Sequence, residues 1–354
     1  EYTGATFAVA VANGTAGLHL AYLAAEVKEG STVLTSPITF VATANAAYYC
    51  GGSVEFVDIN PQTLNLSADK ACNRMEAGGI DVLAPVHFAG LPCDMEQLSN
   101  TARNCGCIVV EDAAHALGGK YKSGEKIGSC VYSDMTVFSF HPVKAIAAGE
   151  GGVITTNSEE LYLKLLRLRS HGINKLDDRL IYEERAYTDG VKNSWYYEMQ
   201  HLGFNYRVTD IQCALVGSQL RKLDGFIERR ALLARRYDCA FSKSNKIFAY
   251  QKELREISGL HLYVVRINFE DIGISRAEFI LKLKELGVLT QVHYIPVPIH
   301  PFYEKLGFRI SDFPCSEEYY MSCLSIPLFP SLSDEQQQYV IKAIGAVLND
   351  PTIL

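Results

Sequence analysis

The stretch Val109-Val110-Glu111-Asp112-Ala113-Ala114-His115 decides the fold of this chain, because a β-branched strand ends there in acidic and small residues. The strand itself is predicted over Cys107–Glu111. Further short apolar runs predict strands on both sides of it, at Ala8–Val11, Thr32–Thr35, Val54–Ile59, Asp81–His87, Thr136–Phe140 and Val153–Thr156. Apolar residues recur at helical spacing in Thr15–Lys28, Asp94–Asn104 and Ser158–Arg169. Strands alternating with helices predict an α/β fold, with a mostly parallel sheet sandwiched by helices.

The C-terminal part of the chain has a different pattern and predicts a smaller α+β domain. The helix Thr209–Leu223 is predicted just before this part. The predicted helices of this part are Phe226–Tyr237, Arg276–Leu286 and Ser333–Leu348, and its predicted strands are His261–Phe269 and Val288–Val292. We therefore expect a large domain over residues 1–225 and a small domain over residues 226–354. The charged and aromatic segment Asn174–Gln200 has no clear period, so it is expected to leave the main sheet.

Composition excludes several classes of function. The chain has 354 residues, 48% hydrophobic and 21% charged, and a formal charge of −7. No basic excess is available for nucleic acid, and no apolar run is long enough to span a bilayer. The ten cysteines form no C-x-x-C pair and no His/Cys cluster with metal spacing, which predicts free thiols in a reducing cytoplasm and no metal site.

The turn Asn13-Gly14-Thr15-Ala16-Gly17 joins a predicted strand to a predicted helix. A helix N-terminus presents free N–H groups and a partial positive charge, so this turn could hold a phosphate. The alternative is an ordinary glycine turn in which Thr15 caps the helix. Either way, the turn lies at the end of a strand, where α/β sheets place ligands.

Asp112 and Lys144 follow two other predicted strands and carry the strongest chemical signal. Asp112 could pair with a protonated ring nitrogen, although it could also cap the turn that follows it, with His115 as a structural histidine. Lys144 lies in a loop between Pro142 and several glycines, where a lysine could form a Schiff base; the alternative is a solvated loop lysine. Together with a phosphate turn, these are the contacts that pyridoxal 5′-phosphate (PLP) requires.

The chain resembles the DegT family of PLP-dependent aminotransferases of fold type I, which act on nucleotide-linked keto-sugars. The resemblance covers essentially the whole chain and rests on motifs in the same order: NGTAGLHLA, PITFVATANA, VEDAAHALGG, FSFHPVKAIAAGEGG, RSHGI and GFNYRVTDIQCAL. Within the family, HPVK, SWYYEMQHLGFNYR and QVHYIPVPIHPFY are most similar to members that aminate a UDP-linked 4-keto-6-deoxy-N-acetylhexosamine for pseudaminic acid synthesis. The resemblance implies L-glutamate as the amino donor.

The resemblance also implies a role for particular residues. Lys144 corresponds to the lysine that forms the Schiff base, and Asp112 to the acid that pairs with the ring nitrogen. The other residues that correspond to cofactor contacts are Thr15, Ala16 and Ser139 at the phosphate, Phe40 and Ala114 at the ring faces, His115 near the ring oxygen, and Asn205 from a partner subunit. Phe40 could instead be a core aromatic on an amphipathic helix.

The implied assembly is a homodimer with shared active sites, in which Asn174–Gln200 forms a dimer contact or a substrate wall. Gln291, Val292, His293 and Tyr294 correspond to a segment that contacts the nucleotide-sugar, or else form a strand at a domain interface. Because side chains alternate along a strand, not all four could face the ligand. The family pattern has further residues before Glu1, so an N-terminal segment is expected to be missing here.

Three alternatives to this function stay open. An aminotransferase for another nucleotide keto-sugar, with the ketone at C4 or C3, would have the same motifs. A PLP-dependent sugar dehydratase would have histidine in place of Lys144. A non-catalytic regulator that binds PLP would keep both Lys144 and Asp112, and only turnover would distinguish it from an enzyme.

Overall fold

A seven-stranded sheet forms the centre of the computed structural model, which describes residues 1–174 and 180–353. Its strands are β1 (Phe7–Val11), β2 (Thr32–Thr35), β3 (Ser53–Phe56), β4 (Val82–Ala84), β5 (Ile108–Asp112), β6 (Met135–Ser139) and β7 (Gly152–Thr156). Their spatial order is β1-β7-β6-β5-β4-β2-β3. Only β7 runs antiparallel to its neighbours β1 and β6. The predicted mostly parallel sheet is confirmed, and every predicted strand of this half overlaps an observed one.

Helices cover both faces of this sheet, as the alternation of strands and helices predicts. They are α1 (Gly14–Ala24), α2 (Ala42–Tyr49), α3 (Ala68–Glu76), α4 (Met95–Cys105) and α5 (Glu159–Arg169). Successive residues of a strand enter different cores. Val110 and Val137 pack in the cluster that contains α1, while Val109 and Phe138 pack in the cluster that contains α4. Such burial on both faces is typical of the mostly parallel sheets of α/β proteins.

Local capping signals set the ends of these helices. The Asn13 side chain accepts a hydrogen bond from the backbone N–H of Ala16 and so begins α1, a role that the sequence alternative gave to Thr15. The Ser158 side chain accepts from the N–H of Leu161 and begins α5. Gly106, with φ of 71°, ends α4 in the left-handed region that favours glycine.

Residues 171–174 and 180–200 leave the main sheet, as predicted for Asn174–Gln200, and residues 175–179 lie outside the described residues. Two small antiparallel ladders form here: β8 (Ile173–Asn174) pairs with β11 (Glu198–Met199), and β9 (Tyr187–Thr188) pairs with β10 (Val191–Lys192). Trp195 is 71% exposed on this excursion. The excursion therefore presents apolar side chains that this chain does not cover.

The C-terminal part contains a second sheet with a core of its own. The strands β12 (Ile247–Ala249), β13 (Tyr263–Ile267) and β14 (Cys323–Ile326) form an antiparallel sheet in the order β12-β13-β14. The helices are α6 (Asp210–Leu220), α7 (Leu223–Phe241), α8 (Arg276–Glu285), α9 (Pro301–Lys305), α10 (Pro314–Ser322) and α11 (Asp334–Leu348). Short 3-10 turns lie at Phe88–Gly90, Glu183–Ala186, Lys252–Ile257, Val297–Ile299 and Ile310–Asp312. One hydrophobic cluster joins α7, α8, α11 and this sheet. The division at residue 226 stays a prediction.

Two expectations for the C-terminal part are wrong. The predicted strand Val288–Val292 does not form, and only Gln291 pairs, in an isolated bridge with Ser325 of β14. Its apolar pattern has another cause, because Val288 packs in the C-terminal core and Val292 against a different cluster. The helix predicted from Phe226 begins earlier, at Leu223. In the described part of the chain, no helix is long and apolar enough to cross a membrane.

Candidate active site

One cavity of about 730 Å³ opens at the ends of β5 and β6, beside the N-terminus of α1. This is the edge of an α/β sheet where ligands bind. Ten of the residues singled out in the sequence line it: Thr15, Ala16, Phe40, Asp112, Ala114, His115, Ser139, Lys144, His293 and Tyr294. The structure therefore brings together residues that are far apart in the chain.

Asp112 ends β5, and its carboxylate is held by hydrogen bonds on both oxygens. Thr43 Oγ1 donates to Oδ2 at 2.6 Å, and the backbone N–H of Ala114 donates to Oδ1 at 3.1 Å. The residue is 6% exposed. The two hydrogen bonds, one at each oxygen, fix the direction of this buried carboxylate, as pairing with a cationic ring nitrogen requires.

Lys144 lies past the end of β6 and is half-buried in the wall of the cavity. Removal of its ammonium group from water lowers the pKa of Lys144 from 10.5 to about 8, while the nearby Asp112 carboxylate opposes this shift. Near neutral pH, a useful fraction of the amine is therefore unprotonated. A neutral lysine amine is a nucleophile toward carbonyl carbon.

The N-terminus of α1 lies directly against the end of β6. A Cβ on Gly14 would come 2.9 Å from Ser139 Cβ, so only glycine allows this approach. The N-terminus of α1 and the hydroxyls of Thr15 and Ser139 thus surround one corner of the cavity. Hydroxyls and a helix N-terminus are a donor set for an anion such as a phosphate.

Three histidines lie near Lys144. His115 Nε2 is 2.9 Å from Tyr294 Oη, and its Nδ1 has no hydrogen-bond partner. Burial holds the pKa of His115 well below its ordinary value, and burial likewise lowers the pKa of His293 to about 4. The ring of His261 lies 4.4 Å from that of His115. These three rings are neutral at physiological pH.

Phe40 is 57% exposed and lines the cavity, with its ring 6.1 Å from that of Tyr294. It precedes α2 rather than lying on it. The alternative of a core aromatic on an amphipathic helix is therefore wrong. Ala114 lines another part of the same cavity. An aromatic and a small side chain could therefore both pack against a flat ring bound there.

Three predicted site residues do not line the cavity of this chain. Asn205 is exposed, and its side chain accepts a hydrogen bond from Arg207. The side chain of Gln291 folds back to accept from the N–H of Val292, while Val292 packs in an apolar cluster. Of the segment 291–294, only His293 and Tyr294 line the cavity, because no regular strand forms there.

Sequence reasoning missed a buried network on the other face of β5. Glu111 is fully buried and accepts hydrogen bonds from four side chains: His87, Tyr121, Ser133 and Thr136. His87 Nδ1 accepts from the N–H of Cys93, so Nε2 carries the proton that is donated to Glu111. These donors lower the pKa of Glu111 despite the opposing effect of burial. The sequence signal that could have revealed this network is Glu111 itself, an acidic residue within a predicted buried strand.

The cavity is also lined by Asn13, which was predicted only as part of the phosphate turn, and by residues that were not predicted for the site: His19, Thr39, Tyr49, His141, Glu150 and Tyr206. Asn13 could have been found as the cap before a helix. The others carry no local signal, because they come from separate elements. Within residues 1–174 and 180–353, no three His, Cys, Asp or Glu side chains are grouped as metal ligands, and the ten cysteines are free thiols.

The fold and this donor set define a class of protein. An anion-binding helix terminus, a fixed carboxylate and a nucleophilic lysine fit the phosphate, the ring nitrogen and the carbonyl group of PLP. Among solved structures, the chain is similar to Helicobacter pylori PseC, described as an aminotransferase involved in the biosynthesis of pseudoaminic acid. The TM-score is 0.87 at 25% identity, over 98% of this chain and 88% of that one.

The chain belongs to the DegT/DnrJ/EryC1/StrS aminotransferase family, which it matches over residues 1–345. It is 40% identical to the spore coat polysaccharide biosynthesis protein SpsC of Bacillus subtilis, over 98% of this chain and 87% of SpsC. It is 37% identical to the UDP-4-amino-4,6-dideoxy-N-acetyl-beta-L-altrosamine transaminase of Campylobacter jejuni, with the same coverage. The protein is thus a PLP-dependent sugar aminotransferase.

Proposed function

We propose that this enzyme transfers the amino group of L-glutamate to a UDP-linked 4-keto-6-deoxy-N-acetylhexosamine and forms a 4-amino sugar for pseudaminic acid synthesis. The observation that carries the proposal is the meeting of Lys144, Asp112 and the N-terminus of α1 in one cavity. The similarity to the Campylobacter transaminase supports the choice of sugar. The cavity of about 730 Å³ has room for a cofactor together with part of a substrate.

Each residue has a proposed task toward the cofactor. Lys144 Nζ would hold PLP covalently, Asp112 would hold a proton on the ring nitrogen, and Thr15, Ala16 and Ser139 would bind the phosphate. When bound, PLP acts as an electron sink that stabilises the carbanion formed on loss of a proton from the carbon bearing the amine. Lys144 Nζ, once free, would take up and return that proton, for which a pKa of about 8 is well suited.

The other cavity residues would orient the ligands. His115 and Tyr294 share one hydrogen bond and form a neutral wall, Phe40 and Ala114 would cover the two ring faces, and His293 would contact the sugar nucleotide. His293 Nδ1 lies 2.9 Å from Ser325 Oγ, which leaves its other nitrogen for a ligand. Neutral groups on this side do not compete with Lys144 for the proton.

We also propose that the active form is a homodimer in which Asn205 reaches the phosphate site of the partner subunit. Large apolar side chains are exposed close to Asn205 in the sequence, with Leu202 at 79% and Ile211 at 76%. No residue of α6 is buried within this chain. A helix of apolar character needs a partner surface to bury that face.

Visible absorption spectroscopy tests the proposed function. Protein loaded with PLP should lose the absorption band of the lysine-bound cofactor on addition of L-glutamate and regain it on addition of the UDP-4-keto sugar. Lys144→Ala should show no such band, while the exposed Lys243→Ala should behave like the unmodified protein. A band that L-glutamate leaves unchanged would contradict the proposed donor, and its absence from the unmodified protein would contradict the role of Lys144.

A different nucleotide keto-sugar is the second candidate substrate. The identity to SpsC, a protein named for spore coat polysaccharide biosynthesis, is slightly higher than the identity to the Campylobacter transaminase. The same spectroscopic experiment separates the two candidates. This alternative would be favoured if the band recovers with another nucleotide 4-keto or 3-keto sugar and does not recover with the UDP-linked 4-keto-6-deoxy-N-acetylhexosamine.

A further inference from the structure

Two buried threonine hydroxyls lie next to Asp112 in a hydrogen-bonded chain and are not used in the function proposed above. Thr43 Oγ1 is 2.6 Å from Asp112 Oδ2, and Thr39 Oγ1 is 2.9 Å from Thr43 Oγ1. Thr39 and Thr43 are 1% and 0% exposed, so bulk water does not compete for these hydrogen bonds. We propose that Thr39 and Thr43 are positioning residues, which form a directional hydroxyl relay that aims the Asp112 carboxylate into the cavity.

The direction of the relay follows from the number of protons. An ionised carboxylate only accepts hydrogen bonds, so the single hydroxyl proton of Thr43 points to Asp112. The other acceptor within reach of that hydroxyl, the carbonyl oxygen of Phe40, is farther away, at 3.4 Å. Thr43 Oγ1 must then accept the proton of Thr39. Both protons therefore point toward the carboxylate.

The helices α1 and α2 and the strand β5 hold this relay in place. Thr43 lies in the first turn of α2, and Tyr22 of α1 donates its hydroxyl proton to the Thr43 carbonyl oxygen at 3.0 Å. Asp112 ends β5, and its second oxygen accepts from the N–H of Ala114. Rotation of the carboxylate would break a hydrogen bond at each oxygen. Each oxygen still has a lone pair for a ligand in the cavity.

The relay matters because of the proton that Asp112 is proposed to hold on the ring nitrogen, and in this respect it rests on the proposed function. Hydrogen-bond donors to a carboxylate favour its ionised form. When Asp112 stays ionised, the shared proton stays on the ring nitrogen of the cofactor. Removal of the Thr43 hydroxyl should shift that proton toward Asp112 and weaken cofactor binding.

Nitrogen-15 NMR of the holoenzyme, loaded with PLP labelled at the ring nitrogen, tests the relay. Asp112→Asn provides the reference signal for a ring without its carboxylate partner. Thr43→Val should move the signal of the unmodified protein toward that reference and raise the PLP dissociation constant on the order of tenfold. Thr43→Ser, which keeps the hydroxyl, should restore both values. Thr39→Val should cause a smaller change in the same direction.

A purely structural role for Thr43 gives a different result, because valine has nearly the shape of threonine. An unchanged nitrogen signal in Thr43→Val, with a dissociation constant within about twofold of the unmodified protein, would overturn the relay. If Thr43→Val does not fold, Thr39→Val decides, and an unchanged signal there overturns it as well. Failure of the unmodified protein to bind labelled PLP would instead contradict the proposed function.

Discussion

Lys144 has its chemical role because of its surroundings, which distinguish it from the solvated lysines of the surface. It is half-buried beside a carboxylate, and three neutral imidazole rings lie nearby. Burial lowers the pKa of its amine to about 8, whereas an exposed lysine would have the ordinary value of 10.5. The tertiary environment therefore makes this amine reactive under conditions in which other lysines are cationic.

This pKa predicts the pH dependence of cofactor capture. Only the neutral amine attacks the carbonyl group, and the amine is neutral above its pKa, so the rate of PLP capture by apoprotein should rise with pH. Half of the maximum rate is expected at about pH 8. Stopped-flow absorbance measures this rate. Asp112→Asn should move the midpoint lower, because the carboxylate raises the pKa of Lys144. A midpoint near 10.5 would contradict the prediction.

Glu111 is a structural residue despite its position next to Asp112. Glu111→Gln replaces a carboxylate with an amide whose NH₂ group would face the surrounding donors, so the free energy of unfolding should fall by about 3 kcal/mol. Urea unfolding at neutral pH measures this loss. The exposed Glu285→Gln is the control and should change stability little. A loss below about 1 kcal/mol would contradict the assigned network.

The pH dependence of this contribution has a definite sign. The pKa of Glu111 is lower in the folded protein than the ordinary value of 4.5. Its stabilising contribution is therefore fully present above that ordinary value, and it is lost as the pH falls through the lower folded-state value. The difference in stability between the unmodified protein and Glu111→Gln should shrink in this acidic range.

At the scale of elements, the position of α1 against β6 forms the proposed phosphate site. Gly14 and Ser139 meet where the helix begins and the strand ends. The contact depends on the absence of a side chain at one residue. The Asn13 cap sets the first turn of the same helix and so keeps its N–H groups pointed at the cavity.

Gly14→Ala should weaken PLP binding by about tenfold or more, since its Cβ would come 2.9 Å from Ser139 Cβ and displace the helix end. Fluorescence titration of apoprotein with PLP measures this affinity. Gly225→Ala in α7 is the matched control, because a Cβ there has no neighbour within 4 Å. This control should keep the affinity of the unmodified protein, with a stability equal to it or higher, because alanine favours a helix over glycine. Equal affinities of all three proteins would contradict the assigned phosphate site.

At the scale of the whole molecule, several large apolar side chains of this chain are exposed at its surface. The exposed side chains lie on α6 and on the excursion of residues 171–200, with Ile211 and Trp195 each more than two-thirds exposed. Asn205 lies between these two surfaces in the sequence and outside the cavity of its own chain. A homodimer would bury the apolar surface and bring Asn205 to a second cavity.

Subunit complementation tests this assembly. Lys144→Ala and Asn205→Asp should each be nearly inactive alone, yet a mixture refolded together should recover about a quarter of the unmodified activity, because one site of each mixed dimer is intact. Turnover of the nucleotide keto-sugar measures the recovery. Two Lys144→Ala preparations refolded together are the control. No recovery in the mixed sample would show that each site is complete within one chain.

The sequence by itself determined the strands of the large sheet, the helices that begin near Ser158 and Thr209, and the placement of Lys144 and Asp112 at strand ends. These features depend on periodicity and on capping within a few neighbouring residues, so they can be predicted from a short window of the chain. The helix α2 was missed, because its residues Ala42–Tyr49 are mostly buried on all sides and show no amphipathic period.

Only the tertiary structure decided which side chains meet. The hydrogen bond from Thr43 to Asp112 joins residues 69 positions apart, and the pairing of His115 with Tyr294 joins residues 179 positions apart. The same packing prevented a strand at Val288–Val292, although its local pattern favoured one. The free energy that favours a strand locally is small compared with the free energy of burying side chains in a shared core. Long-range packing therefore determined which residues line the cavity.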